Sequence, residues 1–199
     1  LKPLDAELQN YCSAEKRLLA ERDDRLIWRR NLAKQFGPRE PHASARLIDL
    51  SEYFNLSVRG GFAEPGDGLV GLKVGLVTLG GVPFDIRGCI HLARGSPIIS
   101  HNYPSDRVEG IRVEQKCERL NFLQATTFFA TDGVQVGRYI LHYADGQQRE
   151  LTLVYGRDFR NFWTVADEPS YTAAAAEIVW TGQNRKALLA GQSLRLFKS

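Results

Sequence analysis

At 199 residues, 43% hydrophobic and 25% charged, the chain is long and apolar enough to bury a full-sized globular core. Its net charge of +3 is the small remainder of 26 basic and 23 acidic residues that are interspersed along the chain, so the charge balance gives no footprint for nucleic acid. No apolar run approaches the roughly 18 residues of a membrane span, and a chain that opens on Leu1 and holds no Met is expected to be a piece excised or processed from a longer protein.

From Leu4 to Phe36 apolar residues recur at helical spacing: Leu4, Leu8, Tyr11, then Leu18 and Leu19, then Leu26, Ile27, Leu32 and Phe36. The stripe lapses between Glu21 and Arg25, which predicts two helices or one bent one. Gly37 and Pro38 end it, Gly as a left-handed cap and Pro by refusing to continue the helix. The basic cluster from Arg25 to Lys34 is interleaved with Leu26, Ile27, Trp28 and Leu32, so it reads as an amphipathic helix and a surface for a protein partner. A DNA reader would need a second helix to set it in a groove. Residues 1–44 are therefore a helical arm and connector, and residues 45–199 a β-domain.

Beyond Arg46 the helical period gives way to short strands: Arg46 to Leu50, Lys73 to Thr78, Val82 to Ala93, Ile111 to Val113, Cys117 to Phe129, Val134 to Tyr143, Arg149 to Tyr155, Ala176 to Thr181 and Ser193 to Phe197. Turns rich in Gly separate most of them, at Gly80-Gly81, Asp132-Gly133, Asp145-Gly146 and Thr181-Gly182. Many short strands without interleaved helices predict a mainly β, antiparallel sandwich or barrel. One register can be read directly. A three-residue loop Ala144-Asp145-Gly146, with Gly146 left-handed, puts Tyr139, Leu141 and Tyr143 on one face with Leu151, Leu153 and Tyr155, whereas a two-residue loop would mix polar and apolar sets.

Within Val82 to Ala93 the alternation sets Val82, Phe84, Ile86, Ile90 and Leu92 on one face. Asp85, Arg87 and His91 fall on the other, expected in solvent. A sheet face with an acceptor and a fork donor in a row suits a polar, hydroxyl-rich ligand, or is simply a solvated face with a weak ion pair. A second candidate is Tyr155 to Trp163, where Arg157, Asp158, Arg160 and Asn161 accompany Phe162 and Trp163 just past a strand end. There, hydroxyls would meet Arg157 and Asp158 while Trp163 stacks on a sugar ring; alternatively Phe162 and Trp163 plug the sandwich. Trp180, sharing a face with Ile178, is expected in the core, and the turn Thr181-Gly182-Gln183-Asn184 at the border of a pocket.

The three cysteines, Cys12, Cys89 and Cys117, have no CxxC spacing; Cys89 and Cys117 are either bridged or two small buried hydrophobes. His42, His101 and His142 are scattered, so no metal or other cofactor is expected, and GxSxG, P-loop and dinucleotide motifs are absent. A hydrolytic enzyme working through Asp85 and His91 would still need a third group to orient the imidazole.

The segments LIDLSEYFN (Leu47 to Asn55), LGGVPFDIRG (Leu79 to Gly88), GRYILHYADG (Gly137 to Gly146), YGRDFRNFW (Tyr155 to Trp163) and WTGQN (Trp180 to Asn184), followed by RLF, resemble a bacterial β-sandwich module akin to the galactose-binding-like jelly rolls. The resemblance covers roughly Arg46 to Lys198. It implies a jelly-roll-like sandwich and a non-catalytic module appended to other proteins, often signalling or cell-surface ones, with carbohydrate binding as the analogy from the wider group. Such modules usually run on past the RLF strand into a further strand, and here the chain stops at Ser199. The reading is thus a binding module for a glycan or other hydroxyl-rich ligand; the alternative is a protein–protein assembly or regulatory module.

Overall fold

The computed structural model describes residues 13, 15–16, 34, 36–60, 66–93, 106–168 and 175–199, so the helical arm expected over residues 4–36 lies almost wholly outside the described residues. Among the described residues the chain is mainly β. Strands β1 (Gly75–Leu79) and β2 (Val82–Ile86) form one antiparallel sheet, and β4 (Gln135–His142) and β5 (Gln148–Val154) another. The third has the order β3 (Leu123–Gln124), β7 (Leu194–Lys198), β6 (Glu177–Gly182). Ser13, Glu15 and Lys16 are helical, and a short helix, α1 (Arg185–Leu189), and a 3-10 turn over Ser51–Tyr53 are the other helical elements among the described residues. No helix among the described residues is long and apolar enough to cross a membrane.

Turn chemistry sets both hairpins. Gly80 and Gly81 have φ of 52° and 73°, the left-handed pair that a type I′ turn requires. In such a two-residue hairpin Leu79–Val82 is a hydrogen-bonded pair, and Val77–Phe84 and Gly75–Ile86 follow on alternate rungs. The intervening pairs, Leu76–Asp85 and Thr78–Pro83, turn their backbone polar groups away from each other, so Pro83 removes nothing from the ladder. The β4–β5 hairpin closes where the Tyr143 N–H donates to Gln147 O at 2.9 Å. Its loop is the expected three residues with Gly146 at φ 85°, and Tyr139 pairs with Leu151. Arg138, Ile140, His142, Glu150 and Thr152 are all exposed, while Tyr139, Leu141, Leu151 and Leu153 are half-buried, as the alternation demands.

Val58, Leu69, Leu72 and Ile86 from the first half of the chain meet Phe162, Ala187, Leu194 and Leu196 from the second in one core. Val77, Leu79 and Phe84 lay the inner face of the β1–β2 hairpin on it, and Trp180 packs there as expected. Lys198 fixes the hairpin tip by donating from Nζ to Gly80 O at 2.6 Å. Strand β7, central in its sheet, is buried from Leu194 to Phe197 on both faces.

Several expected strands are shorter or missing. Over Arg46 to Leu50 no strand forms; Asp49 Oδ1 accepts from the Ser51 N–H at 3.0 Å, an Asx turn that leads into the 3-10 turn. Ile111 to Val113 stays irregular, and Glu114 at φ 49° breaks the extended run. Of Cys117 to Phe129 only Leu123–Gln124 is strand, because from Thr126 the backbone leaves β7 for Arg160 O and the Phe162 N–H. The long strand Val82 to Ala93 stops at Ile86. Gly88 lies so close beneath Phe36 and Phe54 that a Cβ there would come within 2.8 Å of either ring, and Cys89 then pairs with Leu56 instead. A bulge between Ile178 and Trp180 separates the two expected on one face and leaves Ile178 exposed. Helix α1 was not foreseen; Asn184 caps it by accepting from the Ala187 N–H at 2.8 Å while donating to Gly68 O at 3.2 Å.

Candidate functional site

The face expected to expose Asp85 and Arg87 is covered. Both side chains are only 6% exposed; Asp49, just past the connector, lies on Arg87, and Arg39 of the connector holds Asp49. Arg87 Nε donates to Asp85 Oδ2 at 3.0 Å and Arg87 Nη2 to Asp49 Oδ1 at 2.9 Å, and its guanidinium stands 5.7 Å from the centre of the Phe54 ring. Arg39 adds a second cation at 3.2 Å from Asp49 and donates to Leu47 O at 2.5 Å. Burial pushes the Asp49 carboxyl up, but hydrogen bonds from the Ser51 hydroxyl and amide and from Arg87, with the charge of Arg39, outweigh it and bring the pKa down to about 2. These groups clamp the connector to the hairpin. They do not present a row of free donors.

His91 is turned elsewhere. Asn55 grips its backbone from both sides, Nδ2 donating to His91 O and Oδ1 accepting from the His91 N–H, each at 2.7 Å, while its Nε2 meets Thr127 Oγ1 at 3.3 Å. Asp85 and His91 therefore do not share the expected row. Burial lowers the His91 pKa from its ordinary 6.5, so the unfolded chain takes up a proton more readily than the folded one. Stability should fall as pH drops below about 6.5 and be flat in this respect above it. Urea titrations from pH 7.5 to 5.5 would read this, and His91→Gln should flatten the profile; an unchanged slope in the variant would assign it to another group.

The segment from Tyr155 to Trp163 is also turned inward. Asp158 is buried, its Oδ2 accepting from the Val154 N–H at 2.7 Å, and exposed Arg157 folds back to donate to Asp158 Oδ2 at 2.7 Å and to Thr152 O at 2.5 Å. Arg160, buried, pairs with Asp132 and, at 3.8 Å, with Glu168. Asn161 is buried as well; its Oδ1 accepts from the Trp163 N–H at 2.8 Å and its carbonyl from Arg195 Nε at 3.0 Å. Arg195 Nη2 lies 2.5 Å from Glu168 Oε2. Phe162 is buried edge-on to half-buried Trp163, the packing expected of a plug. The expectation of an outward donor-rich loop is corrected for Asp158, Arg160 and Asn161, which are buried in a charged network, while Arg157 stays exposed beside Asp158.

Tyr139 ties the β4–β5 hairpin to the central sheet, donating to Gln124 Oε1 at 2.6 Å and stacking on Phe122 at 4.1 Å; burial, helped by the Asp158 charge, pushes its phenol up to about 12. Cys89 and Cys117 are free thiols. Cys89 is half-buried against the core, which pushes its thiol up to about 12, whereas Cys117 is exposed, so the two are not a pair of buried hydrophobes. Among the described residues no group of three His, Cys, Asp or Glu is gathered closely enough to hold a metal ion.

An open groove of about 500 Å³ lies between the connector and β1, with Ser44, Arg46 and Lys73 among its polar borders. Sequence reasoning passed over it. The available signal was a pair of cations, Arg46 and Lys73, ahead of a strand with a single hairpin partner. Comparison with known protein families, curated proteins and solved structures finds no match for the chain.

Proposed function

We propose that the chain is a non-catalytic interaction module of a larger protein that takes a polypeptide partner, built as a jelly-roll-like sandwich of the galactose-binding-like kind. The inward turn of Tyr155 to Trp163 carries this reading: of the two groups expected to meet hydroxyls, Asp158 is buried on the Val154 N–H and exposed Arg157 folds back onto it, while Arg160 and Asn161 are held inside the fold. Large apolar groups stay outside instead, Phe128 and Phe129 at 52% and 57% exposure among them, and such surface suits a protein partner. The jelly-roll arrangement rests on the three antiparallel sheets and the motif order.

Probing the chain in parallel on a glycan array and a random-peptide display library tests the reading. Selected peptides without glycan signal are the expected result; saturable glycan binding lost in Arg157→Ala would overturn it. Arg157→Ala should change stability by no more than about 0.5 kcal/mol, as exposed substitutions do. Asp158→Ala should cost about 1–3 kcal/mol, because the Val154 N–H then loses its acceptor.

A further inference from the structure

Among the described residues strand β1 has one hydrogen-bonded neighbour, β2. The rung order of the hairpin turns the N–H and C=O groups of Leu76 and Thr78 to the opposite edge, where no backbone or side-chain group among the described residues bonds them. On β2 the equivalent edge carries Pro83, which has no N–H to offer; β1 has no such guard. The groove borders β1 and reaches over the hairpin to Pro83, the cross-strand partner of Thr78. Leu76, Val77 and Thr78 border it consecutively, with Leu76 and Thr78 exposed and Val77 packed against the core.

The walls indicate what fits. Leu47, Leu76 and Pro83 give apolar contact, Leu76 being 45% exposed. Arg46 and Lys73 are exposed at the rim, neither makes an ion pair with a described residue, and no carboxylate borders the groove. Unsatisfied strand polar groups select an extended backbone, and two unneutralised cations select acidic side chains. We propose that the free edge of β1 accepts an extended acidic peptide segment as an added strand, with its backbone on Leu76 and Thr78 and its carboxylates on Arg46 and Lys73. This rests on the interaction-module reading and names the partner's chemistry.

The test uses the full chain and a fluorescein-labelled octapeptide alternating Val and Glu, read by anisotropy. Its controls are the Lys-for-Glu counterpart and an acidic version N-methylated on alternate residues. Saturable binding of the acidic peptide alone is expected, weakening with added salt. Thr78→Pro, tolerated on an edge strand and lacking the N–H, should abolish binding; Arg46→Glu with Lys73→Glu, both on the surface, should weaken it at least tenfold with the fold unchanged. Equal binding of the N-methylated or Lys peptide, or unchanged affinity in the charge-reversed variant, would overturn the proposal. So would a dimer seen by light scattering and lost in Thr78→Pro, which would make a second copy the occupant. If display peptides bind at a site these variants leave intact, the edge proposal fails and the module reading stands; if no peptide binds and glycans do, the reading itself fails.

Discussion

Arg87→Met should cost the fold about 3–5 kcal/mol, the loss expected when one partner of a buried ion pair is removed. The side chains of Arg87 and Asp85 are each 6% exposed, and Arg87 supplies the single hydrogen bond that Asp85 Oδ2 receives, while Asp85 Oδ1 is buried with no partner. Deleting the guanidinium leaves a carboxylate in a dry site and frees Asp49, so the connector loses its anchor on the hairpin. Asp85→Val combined with Arg87→Met should recover much of the stability, since apolar groups of similar volume carry no desolvation debt. Guanidinium unfolding of the four combinations measures the coupling directly. A cost under about 1 kcal/mol for Arg87→Met would match a solvated surface pair and restore the exposed face that alternation alone predicts.

That face shows how far the sequence could be read. Alternation assigned the sides of β2 and of the β4–β5 hairpin correctly, because a half-buried strand writes its environment into every second residue. Gly146 was legible for the same local reason: its φ of 85° is what a three-residue loop needs. What alternation cannot say is whether the polar side of a strand meets water or another piece of chain. Asp49 lies on Arg87 through a contact 38 residues apart in sequence and is itself held by Arg39, and no local pattern announces this. The same holds for Tyr155 to Trp163. Its charged groups resembled ligand donors because their acceptors, Glu168 and Asp132, and their neighbour Arg195 lie on other segments. Helix α1 was invisible to periodicity, being only five residues long, although Asn184 three residues before Ala187 is the cap signal that could have found it. The strand expected over Arg46 to Leu50 failed because Asp49 and Ser51 make a turn from their own side chains, a competition that an apolar count over Leu47, Ile48 and Leu50 ignores.

Glu168→Ala should be the other severe substitution, costing about 3–5 kcal/mol and loosening the segment from Tyr155 to Trp163. Glu168 is 11% exposed and stands between two arginines that are more deeply buried, Arg160 at 4% and Arg195 at 6%. Arg195 also holds the carbonyl of Asn161 through Nε and stands 5.3 Å from the centre of the buried Phe197 ring, so its position governs both the plug and the central strand. Removing the carboxylate leaves two cations facing each other without an intervening charge, in a place where water screens little. Glu168→Gln keeps the volume and one acceptor and should cost clearly less than Ala. Arg195→Met should be severe on its own, and the pair with Glu168→Leu milder than the sum of the two singles, a non-additivity that marks a shared network. Denaturant titration gives the energies, and near-ultraviolet circular dichroism of Trp163 and Phe162 reports whether the plug loosens with them. Full stability in Glu168→Ala would mean that the network contributes nothing to the fold, and would return Arg160 and its neighbours to the status of groups available for a ligand.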